Sequence, residues 1–135
     1  MMTIESRLAV SLFFLRISIF LVMLVWTLDK FINPQHAAAV YEKFYLIGGL
    51  GSQIMTVIGV IELIILVAFV AGYMKFYTYG SVLLLHAVST FSSYKQYLAP
   101  YDGPNILFFA AWPMLAGCLA LFLLRAYDTR LVAEK

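Results

Sequence analysis

Residues 51–73 read GSQIMTVIGVIELIILVAFVAGY, and this stretch decides the fold. It is long enough to cross a bilayer as a helix, which takes about 20 predominantly apolar residues. Its single charged residue, Glu62, lies in the middle of the run. On insertion scales, a charged residue at the bilayer centre costs about 2.5–3.5 kcal/mol. The stretch therefore predicts a membrane-spanning helix whose carboxylate needs a partner elsewhere in the chain.

The composition extends this interpretation to the whole chain. Of the 135 residues, 64% are hydrophobic and 12% are charged, whereas about 25% of the residues in soluble domains are charged. Four apolar runs, at about 7–30, 51–73, 76–98 and 105–125, are each long enough for one span. We therefore predict an all-α fold, a polytopic membrane four-helix bundle that forms a single domain over residues 1–135.

The connection between spans one and two predicts a short additional helix. Asn33-Pro34 ends the first run, and proline suits the first turn of a following helix. Residues 35–44 are too few and too polar to span a bilayer, so we expect a helix that lies in the membrane interface. In the fourth run, Pro113 predicts a kink in the interior of the helix.

Charge and cysteine content exclude several classes of function. The formal net charge is +2 and the Lys and Arg residues are scattered, so the chain offers no basic patch for nucleic acid. The single cysteine, Cys118, excludes an internal disulfide and a CxxC redox pair. The lipid bilayer is the expected environment, in the inner (cytoplasmic) membrane with both termini cytoplasmic, because that orientation puts more basic residues inside. The basic residues then inside are Arg7, Lys75, Arg125, Arg130 and Lys135.

Three ionisable residues are predicted at a similar depth in the bilayer. With a rise of about 1.5 Å per residue, Arg16, Glu62 and His86 all lie about 13–17 Å from the inner edge. The bidentate fork of an arginine is the best partner for a carboxylate in low dielectric. We therefore predict that Arg16 pairs with Glu62, that His86 is a second contact, and that the three form the candidate catalytic centre. The alternative is a purely structural ion pair that holds helices together.

Span three carries a polar stripe at helical spacing toward the outer side. It consists of Ser89, Thr90, Ser93 and Tyr97, and Trp112 of span four can wall an apolar pocket beside it. Polar residues that face the interior of a membrane bundle mark paths for protons or substrates. We predict Ser89, Ser93, Tyr97 and Trp112 as candidate cofactor-binding residues, suited to the head group of a quinone-like molecule. The alternative is that the hydroxyls bond back to their own helix.

Haem and metal sites receive little support from the sequence. Bis-histidine haem ligation needs two histidines that meet at one iron, and the two histidines present, His36 and His86, are predicted at different depths. With one cysteine, no thiolate zinc site of the usual kind is expected. We therefore expect no metal site, and a quinone substrate is the small molecule that we consider.

Three short motifs resemble the DoxX-like family of small four-helix membrane proteins. They are Leu-Arg-Ile at 15–17, Asp-Lys-Phe at 29–31 and Gly-Val-Ile-Glu at 59–62. The resemblance covers essentially the whole chain in length and number of spans. It implies a four-helix membrane fold with family positions at Arg16, Lys30, Gly59 and Glu62. It also implies a role as a small subunit or membrane partner of a redox enzyme. The family includes the small subunit type of an archaeal thiosulfate:quinone oxidoreductase.

The expected function is that of a small integral-membrane subunit or accessory protein of a quinone-linked respiratory or redox system, with other protein subunits as partners. Electrons would come from such a partner, since the chain encodes no electron carrier. One alternative is a non-catalytic assembly subunit of a larger complex. Another is a small proton-coupled transporter, acting as a homo-oligomer with its carboxylate open to water. A cavity beside the polar stripe would favour ligand or proton traffic, whereas a closely packed centre would favour the structural role.

Overall fold

The computed structural model describes residues 1–134, and within this range the chain is helical without a strand. The α-helices are α1 (Ile4–Ile32), α2 (Pro34–Tyr45), α3 (Ser52–Val70), α4 (Lys75–Ser92), α5 (Tyr94–Leu98) and α6 (Ala111–Leu123). Two 3₁₀ helices occupy Gly103–Ala110 and Arg125–Tyr127. The predicted all-α class is confirmed.

Four helices pack side by side around a common core. α1 contacts α3 and α6, and α4 contacts the same two helices. The core that they bury includes Leu12, Ile19, Leu66, Phe69, Tyr79, Val82, Cys118 and Leu121. The outward faces carry large exposed apolar side chains, among them Phe14, Ile64, Leu84 and Leu107. Apolar surface of this extent marks contact with a membrane or with other proteins.

Three helical segments are long and apolar enough to cross a membrane, namely Ile4–Ile32, Ser52–Val70 and Gly103–Leu123. α4 is not among them, because Lys75, His86 and several hydroxyl side chains lower its hydropathy. The predicted third span, 76–98, is also interrupted at Ser93, where α4 ends and the short α5 follows. By helix length and composition the chain is that of a membrane protein, and its fourth crossing stays a prediction.

The short helix predicted after span one is confirmed as α2. The side-chain oxygen of Asn33 caps it by accepting a hydrogen bond from the His36 N–H at 3.3 Å, and Pro34 lies in its first turn. Pro113, which predicted a kink in a helix interior, lies instead in the first turn of α6, since the preceding residues form a 3₁₀ helix. Residues in the first turn of a helix have no carbonyl partner for their N–H groups, so proline, which has no N–H, costs no hydrogen bond at this position.

Residues 128–134, called the closing segment below, return across the end of the molecule where α3 meets α4. The Ala133 N–H donates to the Ala71 carbonyl at 2.8 Å, and the Glu134 N–H donates to the Gly72 carbonyl at 3.1 Å. The Glu134 carboxylate accepts a hydrogen bond at 2.8 Å from the N–H of Lys75. This N–H belongs to the first turn of α4 and has no partner within the helix. The closing segment therefore caps α4 and ties it to the end of α3.

Candidate functional site

Glu62 lies at the centre of a polar cluster formed by α1, α2 and α3. Its Oε2 lies 2.9 Å from Lys30 Nζ and accepts a hydrogen bond from Thr27 Oγ1 at 3.1 Å. Its Oε1 accepts one from the Tyr41 hydroxyl at 3.3 Å. We call these four residues the Glu62 centre. The side chains of Lys30 and Glu62 are only 9% and 13% exposed, so their charges are neutralised inside the protein.

A glycine explains why α1 and α3 meet at this point. Gly59 and Glu62 are three residues apart and therefore lie on one helix face. A Cβ added at Gly59 would lie 2.8 Å from Phe31 Cζ and 3.3 Å from Lys30 Cβ, too close for packed atoms. The missing side chain lets the end of α1 approach α3, and one turn later Glu62 meets the ammonium group of Lys30.

α2 places Tyr41 over the Glu62 centre. Lys30 Nζ lies 5.6 Å from the centre of the Tyr41 ring, within the range of a cation–π interaction. Burial, and then the neighbouring Glu62 carboxylate, raises the pKa of Tyr41 above its usual range. The hydroxyl therefore keeps its proton at neutral pH and remains a donor to the carboxylate.

Arg16 forms a second centre with Asp128 and Tyr79, which we call the Arg16 centre. Arg16 Nη1 lies 2.6 Å from Asp128 Oδ2, and both side chains are fully buried. The Tyr79 hydroxyl donates to the same oxygen at 2.6 Å and accepts from Nη1 at 3.2 Å. Nη2 donates to the carbonyls of Arg130 and Leu131 at 2.7 and 3.2 Å. Arg16 Nε and Asp128 Oδ1 have no hydrogen-bond partner among residues 1–134.

The predicted pairing of Arg16 with Glu62 is wrong. Arg16 pairs with Asp128 and Glu62 with Lys30, and the fourteen residues from Arg16 to Lys30 correspond to about 21 Å along α1. The prediction looked for partners only inside the four spans, whereas Asp128 lies beyond the last one and folds back. Each buried charge is thus neutralised at its own level, and the three predicted catalytic residues do not form one layer.

His86 belongs to neither centre. It is buried, and its Nε2 lies 3.0 Å from the carbonyl oxygen of Ala111. A carbonyl oxygen only accepts hydrogen bonds, so this nitrogen carries the proton. The imidazole joins α4 to the first residue of α6, where the 3₁₀ helix gives way to an α-helix. The predicted contact of His86 with Glu62 is therefore wrong.

The hydroxyl stripe of α4 is bonded largely to its own helix. Thr90 Oγ1 donates to the carbonyl of His86 at 2.7 Å, and Ser93 Oγ donates to the carbonyl of Ser89 at 3.1 Å. This is the arrangement that the structural alternative expects, because a hydroxyl satisfied by the preceding turn is not free to bind a ligand.

Two of the four predicted cofactor-binding residues, Tyr97 and Trp112, lie together in an aromatic cluster. The Tyr97 ring centre is 5.3 Å from that of Trp112 and 5.4 Å from that of Phe109. Phe91 packs on the other side of the tryptophan, at 5.8 Å. The Tyr97 hydroxyl is buried beside the Ser93 side chain, and within the described part of the chain it makes no hydrogen bond of good geometry. The four rings are called the aromatic cluster below, and Phe91, Phe109 and Trp112 are exposed at the surface of the described residues.

The remaining ionisable side chains form local pairs or stand alone. His36 Nδ1 lies 2.6 Å from Asp29 Oδ2 in a solvent-accessible pair where α1 passes into α2. Over the described range, no three His, Cys, Asp or Glu side chains lie close enough together to hold a metal ion. Cys118 is buried in the core as a free thiol.

Comparison with known proteins returns no match. No family model fits the chain, and neither a curated protein nor a solved structure is similar enough to count as a relative. The resemblance to the DoxX-like family therefore stays a prediction. A function has to be argued from the two charged centres and the aromatic cluster.

Both charged centres are nearly closed, since the Arg16 and Asp128 side chains are fully buried and the Lys30 and Glu62 side chains are 9% and 13% exposed. The more prominent clefts of the described surface are an apolar groove beside α3, lined by residues such as Leu63, Val67 and Ala71, and a cleft between α2 and residues 49–52. Neither is lined by Arg16, Glu62 or His86. The geometry of the two centres is suited to holding helices together, because their donors and acceptors already face one another.

The residues that complete the centres escaped the sequence-based prediction. Thr27, Tyr41 and Tyr79 look like ordinary span-end or core residues, and Lys30 stands out only through the family resemblance. Asp128 offered the clearest signal. It is an acid that closely follows the fourth span in a chain with an arginine inside its first span, and a buried arginine requires an acceptor.

Proposed function

We propose that this chain is a multi-pass membrane protein in which α1, α3, α4 and the segment Gly103–Leu123, made of the first 3₁₀ helix and α6, cross the bilayer as a four-helix bundle. Three of the segments are apolar enough to span without help. α4 packs against α3 and α6, which shields its polar residues His86 and Thr90 from lipid. Four crossings put both ends of the bundle on one side, and the basic residues there favour the cytoplasmic side of an inner membrane.

Within that membrane, the function that the geometry supports best is a non-catalytic accessory subunit of a larger complex. The observation that carries this proposal is the nearly closed Glu62 centre. A carboxylate that moves protons or contacts a substrate needs access to water or to a cleft, whereas Glu62 is held by Lys30, Thr27 and Tyr41. It acts as a cross-link between α1, α2 and α3. The proton-coupled transporter is disfavoured for the same reason.

A second candidate, the quinone-linked redox subunit, is supported by the aromatic cluster. Its buried Tyr97 hydroxyl makes no hydrogen bond of good geometry within the described residues, and burying a polar group without a hydrogen bond is unfavourable. A quinone carbonyl bound between Tyr97 and Trp112 would accept that bond, and the aromatic rings would pack on the head group. In this version the Glu62 and Arg16 centres keep their structural roles, and electrons come from a partner protein.

Native purification in a mild detergent separates these candidates. Proteins and lipid-soluble small molecules that co-elute are identified by mass spectrometry, for the wild type and for Tyr97→Phe, which removes only the hydroxyl. An accessory subunit retains the same protein partners in both samples without a quinone. The quinone-linked version predicts a quinone that is present with the wild type and depleted with Tyr97→Phe. Recovery of a bare homo-oligomer would contradict both.

A further inference from the structure

We propose that the closing segment is a detachable latch, and that Arg16 and Tyr79 form the carboxylate-binding site that holds it. This site binds a carboxylate group carried by a peptide segment, and in the structure that group is the side chain of Asp128 of the same chain. This inference goes beyond an accessory role, because it assigns two states to the end of the molecule where α3 meets α4.

The closing segment carries one fully buried side chain, Asp128, and its other links are hydrogen bonds of its backbone and of the Glu134 carboxylate. Asp128 is fully buried, whereas residues 129–131 are exposed, with Leu131 at 81%. The segment therefore buries little apolar surface of its own. Its anchor is the ionic contact of Asp128 with Arg16, supported by the Tyr79 hydroxyl. Regions with few buried apolar contacts open at lower free energy than the core.

The backbone of the closing segment is strained and lies against a glycine. Leu131 adopts a φ of 47°, in the left-handed region that non-glycine residues rarely occupy. Gly72, with a φ of 63°, accommodates Val132 so closely that an added Cβ would lie 2.5 Å from Val132 Cγ1. Detachment relieves the strain at Leu131, which favours an open state once the Asp128 anchor is lost, whereas the packing of Val132 on Gly72 favours the closed state.

Detachment changes the exposure of specific groups while the core stays packed. Lys75 Nζ donates to the carbonyl of Asp128 at 2.9 Å and to that of Arg125 at 3.3 Å, so on detachment it loses the first acceptor and keeps the second. Arg16 and Tyr79 lose Asp128 as well, so three hydrogen-bonding groups then face the opening. The Glu62 centre is built from other residues, and the apolar core around Cys118 contains no residue of the closing segment, although it shares Tyr79 with the Arg16 centre.

Limited trypsin digestion of the full chain in mild detergent tests the latch. The bond after Arg130 carries the carbonyl that accepts from Arg16 Nη2, so in the closed state this carbonyl is engaged, and we expect cleavage to follow the population of the detached form. Mass spectrometry follows the fragment that ends at Arg130. Maleimide labelling of the buried Cys118 reports opening of the core in the same sample. Each cleavage rate is divided by that of a short peptide with the same substitution, which removes effects on the protease itself.

Two variants are designed to weaken the latch, each by changing a different contact. Asp128→Asn removes the charge that Arg16 binds, and Gly72→Ala pushes Val132 away while leaving the charges in place. Each is expected to raise the cleavage rate about 10-fold or more, because proteolysis follows the population of the open form. Labelling of Cys118 is expected to stay at the wild-type rate. Asp102→Asn, the same change at an exposed acid outside the closing segment, serves as the control with unchanged rates.

Two results would overturn the proposal. If Cys118 labelling rises in parallel with cleavage in both variants, the closing segment is part of the cooperative core and does not detach by itself. If cleavage at Arg130 stays at the wild-type rate in Asp128→Asn, Asp128 is not the anchor.

Discussion

At the scale of single residues, Glu62 illustrates how a carboxylate is kept inside an apolar helix. Its two oxygens receive an ammonium, a threonine hydroxyl and a phenol from two other helices. Taking two charges out of water is expensive, and their attraction offsets this cost only when the remaining lone pairs are also satisfied. The Glu62 centre meets that condition, which explains why Thr27 and Tyr41 matter as well as the ion pair.

Replacing only Lys30 in the Lys30–Glu62 ion pair should destabilise the fold more than replacing both residues. Lys30→Met keeps most of the side-chain volume and leaves Glu62 without its counter-charge, which costs about 3–5 kcal/mol. The double variant Lys30→Met with Glu62→Gln contains no uncompensated charge, so it should recover most of that loss. The measurement is a thermal or denaturing-detergent unfolding curve for each variant.

Lys43→Met is the matched control for this comparison. Lys43 is an exposed lysine on α2 and is absent from the ion pairs of the structure, so its replacement should change the free energy of unfolding by less than about 0.5 kcal/mol. A double variant no more stable than Lys30→Met alone would show that the ion pair is not what Lys30 contributes.

At the scale of helices, glycines set how closely the elements approach. Gly59 admits the end of α1 to α3, and Gly117 of α6 lies against α1, where an added Cβ would be 3.0 Å from Leu15 Cδ1. In a membrane, helix association relies on such close packing, because lipid tails are as apolar as the side chains they replace. The position of Glu62 next to Lys30 depends on this approach.

Gly59→Ala should therefore separate α1 from α3. The new methyl group would contact Phe31, and overpacking of this kind costs about 1–3 kcal/mol, partly offset by the better helix propensity of alanine. Unfolding of the variant in detergent measures the loss. Gly48→Ala is the control, because an added Cβ there makes only ordinary contact, at 3.6 Å from Glu42 Oε1. If both variants unfold alike, the close approach at Gly59 is not important for stability.

The helices themselves were largely predictable, and their interruptions were not. Hydropathy alone locates α1, α3 and the last apolar run, and Asn33-Pro34 marks the start of α2. The break at Ser93 and the 3₁₀ geometry of Gly103–Ala110 depend on how α5 and the first 3₁₀ helix pack on each other. An apolar run is compatible with an α-helix and with a 3₁₀ helix, so these features carry no clear sequence signal.

At the scale of the whole molecule, the partners of the buried charges were the least predictable feature. Which residues of two helices lie at one level depends on their axial offset, and hydrophobic periodicity does not contain that offset. α1 has 29 residues and α3 has 19, so counting inward from predicted membrane edges misaligned them. Arg16 and Glu62 were rightly identified as buried groups that need partners, but their true partners come from a helix end and from the closing segment.

The proposed four-crossing topology makes a direct prediction about accessibility. In a background with Cys118→Ala, single cysteines at Lys43 and Tyr101 should react with a membrane-impermeant maleimide in intact cells. Cysteines at Glu5 and Tyr73 should react only after the membrane is opened, because they lie on the other side. These four positions are exposed or near helix ends. Labelling of Tyr73→Cys and Tyr101→Cys from the same side would show that α4 does not cross.

The Arg16 centre also constrains how the protein is made. Asp128 follows Arg16 by 112 residues, and at synthesis rates of about 5–20 residues per second the ribosome delivers it about 6–22 s later. During that interval the guanidinium group of α1 must be solvated by water, lipid phosphate or the insertion machinery. The charge of α1 is thus neutralised only after the three helices α3, α4 and α6 have been synthesised, so the fold of α1 is completed late.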